Sequence, residues 1–200
     1  MQGKILDLFV YNDKLKFNEI EKNLKIRSNK LAYHLKKLLK KKILVKEGNY
    51  YILSETSEYL IPYISEKKSI LPAILIHIGN KKQAFLYKRN KRPYKDLLSM
   101  PGGRFLVGET IQQATKRIMK EKFNINANLQ KINSISLEYV KKRKKIIHSF
   151  LLIFISAKTK IPIKLIDIEK NKKQIIKSDY KLIKEHLNSS TKIEKIYSKI

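Results

Sequence analysis

Pro101-Gly102-Gly103-Arg104-Phe105-Leu106-Val107-Gly108-Glu109, with Arg117 and Glu121 downstream, is the stretch on which the reading of this chain turns. Gly102 and Gly103 permit a tight bend and a close approach of backbone to a phosphate. A short strand is expected over residues 104–107. The segment from Thr110 to Phe123 then reads as a helix, with Ile111, Ala114 and Ile118 forming one apolar stripe. A glycine loop feeding a helix is a common way to hold an anion.

The flanks supply a sheet for this unit. Residues 70–78 are strand-like, Gly79-Asn80 is a turn, and residues 83–88 form a second strand. A polar loop over 90–96 leads into the glycines. Two longer strands are expected at 132–139 and 146–156, joined by Lys141-Lys142-Arg143-Lys144-Lys145, a run read as a solvated hairpin tip. The tail contains a helix over 178–188 with Leu182, Ile183 and Leu187 inward, and a last helical segment from Ser189 to Ile200.

Taken together, these features resemble the Nudix family over residues 69–188. Gly103, Glu109 and Arg117 stand at the spacings of the Nudix box, in which a glycine, a glutamate and an arginine precede a cluster of helix carboxylates. That cluster maps to Ile118, Glu121 and Lys122, so two of its three carboxylates are replaced. The resemblance implies that Glu109 and Arg117 brace the loop on the helix. It also implies Mg2+ or Mn2+ on Glu121 if the chain is active, with weak or no hydrolysis expected because an ammonium at a ligand position repels a dication. Lys122, with Gly102 and Gly103, is instead expected to face a phosphate. Glu138, on the first long strand, could approach Glu121 and rebuild a two-carboxylate site.

Residues 1–66 read differently. A helix is expected from Met1 to about Tyr11, a second over residues 17–24, and a third from Ser28, taken as its N-cap, to about Lys41. The third helix places Leu31, Leu35 and Leu38 on one side and a polar face on the other. Two strand-like runs around Gly48-Asn49 follow, then a helix over residues 55–65. The order resembles an ArsR-type winged helix-turn-helix. That resemblance implies DNA contact through Ser28, Asn29, Lys30, Tyr33, Lys36 and Lys37 of the third helix and Lys46 of the wing. His34 is read as a partly buried helix residue, not a metal ligand.

Composition bounds the remaining choices. Two hundred residues at 42% hydrophobic content suffice for two small cores. The apolar runs are far shorter than the roughly 20 residues of a spanning helix, so no membrane partner is expected. The absence of cysteine rules out disulfide scaffolds and thiolate metal sites and fits a cytoplasmic location. The net charge of +28 suits a phosphate-bearing partner, although an AT-rich genome alone would enrich lysine. Residues 1–66 hold 13 basic against 8 acidic side chains, and residues 67–200 hold 32 against 9. The excess therefore lies mainly outside the DNA-binding candidate.

The expected architecture is α+β: a small winged helix-turn-helix domain at 1–66, followed at 69–200 by an α/β/α Nudix-like sandwich on a mixed sheet. The expected function is a DNA-binding transcriptional regulator whose altered Nudix-like domain senses a nucleotide or phosphorylated metabolite. Pairing of two copies would suit it. The alternatives are a metal-dependent Nudix pyrophosphohydrolase acting on a nucleoside diphosphate derivative, and an RNA- or DNA-binding protein using residues 141–145 and the basic Nudix half as its main surface.

Overall fold

The structure is a computed structural model that describes residues 1–58 and 69–196. The chain divides into two compact units, Met1–Ser69 and Ile70–Ile200.

The first unit runs α1 (Gln2–Leu8), β1 (Lys14–Lys16), α2 (Phe17–Leu24), α3 (Ser28–Lys40), β2 (Leu44–Glu47), β3 (Tyr50–Leu53) and α4 (Glu55–Glu58). Helix α1 is shorter than expected: the Asn12 side-chain amide donates to the Leu8 carbonyl at 2.7 Å just beyond its end. The start of α2 is closed by Glu19, whose carboxylate accepts the Lys16 N–H at 2.6 Å. Lys25, left-handed at φ 49°, ends it. Arg27, not Ser28, occupies the N-cap of α3; Ser28 is already helical, and its hydroxyl donates to Glu21. Leu31, Leu35 and Leu38 recur at helical spacing and are buried with Ile5, Ile20 and Leu44. Strands β2 and β3 pair antiparallel about Gly48, at φ 57°. An unexpected third strand, β1, adds to β3. It contributes Leu15 alone as a buried residue, too little to mark a strand in the sequence. Of the helix expected at 55–65, α4 covers Glu55–Glu58, and residues 59–65 lie outside the described residues.

The second unit is built on a four-stranded mixed sheet of order β8-β4-β10-β9. Strand β4 (Leu71–His77) lies parallel to β10 (Lys145–Thr159), and β9 (Ala127–Lys142) and β8 (Gly102–Arg104) run antiparallel to their neighbours. The middles of the central strands, residues 73–76 of β4 and 150–155 of β10, are continuous apolar runs because both faces are covered there. Ile74, Ile76, Ile153 and Ile155 face α5 (Ile111–Phe123), meeting Ala114, Ile118 and Met119. Leu75, Leu152 and Phe154 face the opposite way, against Leu182, Ile183 and Leu187. Each fully buried aliphatic side chain of this kind contributes about 1.5–3 kcal/mol. The fold is α+β with a mixed sheet between two helical layers.

Several boundaries depart from the sequence reading. The strand expected at 83–88 is two strands, β5 (Gln83–Ala84) and β6 (Tyr87–Lys88). The first pairs with β11 (Ile166–Asp167) and the second with β7 (Leu98–Ser99), so their partners lie in different places. The strand expected at 104–107 is β8, which takes in Gly102 and Gly103 and stops at Arg104. The tail helix is α6 (Lys177–Lys181) running into a π-helical turn, Leu182–His186. The helix expected from Ser189 is not formed over 192–196; Thr191 instead bridges to Ile132. No helix among the described residues is long and apolar enough to cross a membrane.

Candidate functional site

Helix α5 starts with a reciprocal cap that fixes the loop before it. The Gln113 N–H donates to the Thr110 hydroxyl at 3.0 Å, and the Thr110 N–H donates to the Gln113 side-chain oxygen at 2.8 Å. About two turns beyond the Thr110 cap, Arg117 reaches back to Glu109. Its Nη2 donates to Oε2 at 2.9 Å, and its Nε donates to Oε1. Nη2 also donates to the Arg104 carbonyl at 3.0 Å, so one guanidinium ties strand β8, the loop and the helix together. Burial is substantial: the side chains of Arg117 and Glu109 are 25% and 16% exposed. The Glu109 carboxyl is held below its ordinary range, first by the Arg117 hydrogen bond.

The glycines earn their place by packing. Both lie in β8, where Gly102 pairs with Leu75 and Gly103 with Ile74. A Cβ on Gly102 would stand 2.8 Å from the Ile74 carbonyl oxygen, and one on Gly103 would stand 2.9 Å from Ile118 Cγ1. The tight bend expected here is therefore corrected to a strand pressed against its neighbours, although both residues also line a cleft.

That cleft measures about 350 Å³. Its floor is apolar sheet, including Ala73, Phe150 and Leu152, and its walls carry Arg89, Arg92, Arg104 and Lys122. Two carboxylates also line it. Glu138 accepts the Tyr94 hydroxyl at 2.9 Å, and Tyr94 is pushed up by burial and then by that carboxylate. Asp179, in the first turn of α6, is 2% exposed and accepts the Met100 N–H at 2.7 Å and the Ser99 hydroxyl at 3.0 Å. Burial pushes its carboxyl up to about 7. Lys122 donates to the Gly102 carbonyl, and its ammonium is pushed down by burial and then by Arg89, Lys91 and Arg117. A second cleft of about 310 Å³, with Tyr87, Lys88, Lys91 and Phe123, shares Arg89 and Lys122 with the first. Arg89, Arg92, Tyr94 and Asp179 were invisible to sequence reasoning. They come from a loop and a distant helix with no motif of their own.

In the first unit, Ser28, Asn29, Lys30, Tyr33, Lys36 and Lys37 are all exposed, as is Lys46 on β2. The Lys37 ammonium lies 4.3 Å from the Tyr33 ring centroid. His34 is partly buried within α3, with Tyr33 edge-on to it.

The family model for the NUDIX domain matches residues 70–174, just over half of the chain. The chain belongs to the Nudix family. Its Nudix unit is similar to solved structures of a Nudix hydrolase from Nitrosomonas europaea, with 14% identity over 58% of this chain and 87% of that one and a TM-score of 0.46. It is also similar to the mutator protein MutT from Bacillus halodurans, at 16% identity over 60% and 84% of the two chains and a TM-score of 0.45. For NrtR from Shewanella oneidensis the values are 12%, 57% and 60%, and 0.43. No curated protein matches the chain.

Nudix helices hold a divalent cation on clustered carboxylates, and the residues here do not fit one. Ile118 is 1% exposed and packed in the core. Lys122 brings an ammonium to the cleft, and Glu121 is spent on the surface, 3.4 Å from Arg117 Nη1 and outside the cleft lining. Glu138 lines the cleft and Glu121 does not, so the cleft lining itself holds one of these two carboxylates. Among the described residues no three acidic, histidine or cysteine side chains gather as a metal site.

Proposed function

We propose that the chain is a cytoplasmic DNA-binding transcriptional regulator: residues 1–66 form a winged helix-turn-helix, and the Nudix unit senses a nucleotide or phosphorylated metabolite. The carrying observation is the two-sidedness of α3. Leu31, Leu35 and Leu38 anchor it in the core, while Asn29, Lys30, Tyr33, Lys36 and Lys37 stand exposed behind the three-residue turn that follows α2. A 13-residue helix is about 20 Å long and fits the major groove, where Asn29 offers an amide to base edges and the lysines offer charge to phosphates. The β2–β3 hairpin, with Lys46 exposed, serves as the wing. Two copies of the chain bind paired half-sites.

Selection of bound sequences from a random duplex pool by the full-length chain tests this reading. A recurrent motif is expected, with affinity falling steeply with salt. Lys37→Glu is expected to weaken binding of that motif by about tenfold or more. Binding with no sequence preference, or no loss on Lys37→Glu, would sink the assignment. Metal-dependent hydrolysis of a nucleoside diphosphate derivative is the second reading; Glu138 brings a carboxylate into the cleft, and this reading requires it to hold the cation without the usual helix cluster. Phosphate release with Mg2+ or Mn2+ that disappears on Glu138→Gln would replace the sensor by an enzyme.

A further inference from the structure

We infer that the cleft of the Nudix unit binds the phosphate of its ligand directly on Lys122, assisted by Arg89 and Arg104, with no divalent cation between protein and phosphate. The inference rests on the reading of this cleft as the ligand site. It adds the means of holding the phosphate, which that reading leaves open.

Position is the first argument. Lys122 and Arg89 are the two residues shared by the two neighbouring clefts, so the anion-binding atoms sit at their junction. The organic parts of a ligand then have apolar and aromatic ground on either side, Phe150 and Leu152 in one cleft and Tyr87 and Phe123 in the other.

Orientation is the second. Helix α5 directs Lys122 across β8, where the Gly102 carbonyl takes one of its three N–H donors. Two donors are left for phosphate oxygens. Gly102 is itself fixed in place, because a Cβ there would collide with the backbone of β4.

Charge is the third. Arg89, Lys91 and, less freely because it is paired with Glu109, Arg117 depress the affinity of Lys122 for a proton after burial has done so, with Glu121 opposing them. A group of like charges held together in this way is relieved by an anion and aggravated by a dication. In a Nudix helix that keeps its carboxylates, the metal supplies the positive charge. Here the ammonium supplies it from the same helix, one residue beyond Glu121.

The test is calorimetric titration of inorganic pyrophosphate into the full-length protein, in EDTA and again in magnesium. Binding at one site per chain is expected in EDTA, with an affinity no weaker than in magnesium, which competes with the protein for the pyrophosphate oxygens. Lys122→Met is expected to weaken it by about tenfold or more, the typical worth of a charge-assisted hydrogen bond. Lys122→Arg should retain most of it. Because any strongly basic surface attracts pyrophosphate, Lys144→Met at the hairpin tip is the control and is expected to change nothing. Binding that appears only with magnesium would overturn the inference while leaving a ligand-sensing cleft. No binding in either buffer would also overturn it, as would equal losses in the Lys122 and Lys144 variants. DNA binding, read separately, is indifferent to all three outcomes.

Discussion

Arg117 and Glu109 stand eight residues apart in sequence and meet in a two-pronged ion pair, with Nη2 to Oε2 at 2.9 Å and Nε to Oε1 as the second prong. Two parallel bonds between a planar guanidinium and a carboxylate fix an angle as well as a distance, so the pair sets how the loop enters the helix. The same arginine holds the Arg104 carbonyl, which makes the pair structural in this chain.

Glu109→Gln should therefore destabilise the Nudix unit by about 1.5–3 kcal/mol in urea denaturation, the range for hydrogen bonds to charged groups. The effect should depend on pH. Arg117 holds the folded carboxyl below its ordinary value of 4.5. Its stabilisation is thus complete above about 4.5 and is lost as pH falls through the lower, folded value. Equal stability of wild type and variant at pH 7 would show that the pair does not brace the loop.

Gly102 and Gly103 should respond differently to alanine. At Gly103 the new methyl group meets Cγ1 and Cδ1 of Ile118, side-chain atoms that can shift, whereas at Gly102 it meets the Ile74 carbonyl oxygen, which is backbone and cannot. Each should cost about 1–3 kcal/mol, with Gly102→Ala the worse. Adding Ile118→Val should recover part of the Gly103→Ala loss, giving a double-mutant coupling of about 0.5 kcal/mol or more, and none of the Gly102→Ala loss. Identical behaviour at the two positions would contradict the β8 packing.

These glycines show how the sequence could identify a site and misstate its mechanics. The spacings of Gly103, Glu109 and Arg117 were legible because they lie within one loop and helix, where geometry follows from residue number. Both central strands of the sheet were legible for a related reason, since a strand covered on two faces carries a near-continuous apolar run. The glycines' reason for being there was not, because it depends on β4 running alongside. Asp179 carried no signal: it sits some 80 residues from Ser99 and Met100, and an acidic residue in a first helical turn reads as an ordinary surface preference. Strand β1 was missed because one inward leucine makes no pattern.

Two buried groups should oppose one another as pH changes. Burial pushes His77 down to about 4 from 6.5, so the unfolded chain binds the extra proton between those values and stability rises with pH there. Asp179 is pushed up to about 7 from 3.8, so the folded chain binds the extra proton and stability falls with pH over that window. The two contributions partly cancel in the wild type. Thermal melts of Asp179→Asn should show stability rising from pH 4 to 6.5, and melts of His77→Leu should show it falling between pH 4 and 7. Parallel profiles for the two variants would mean that at least one group is not buried as described.

The tip of the β9–β10 hairpin has a local electrostatic fault that is simple to correct. Lys142 lies directly opposite Lys145 in the register, and both are exposed, as are the other three cations of residues 141–145. Like charges facing one another across a strand pair are destabilising by about 0.2–1 kcal/mol. Arg143, left-handed at φ 54°, holds the turn between them closed and keeps the facing pair together. Lys145→Glu should therefore raise the melting temperature of the full-length protein at low salt. The gain should shrink as ionic strength approaches about 0.15 M, where the screening length is about 8 Å. A gain that persists undiminished in high salt would point to side-chain packing at the tip instead of charge. No gain at low salt would place the lysines on diverging paths from the hairpin.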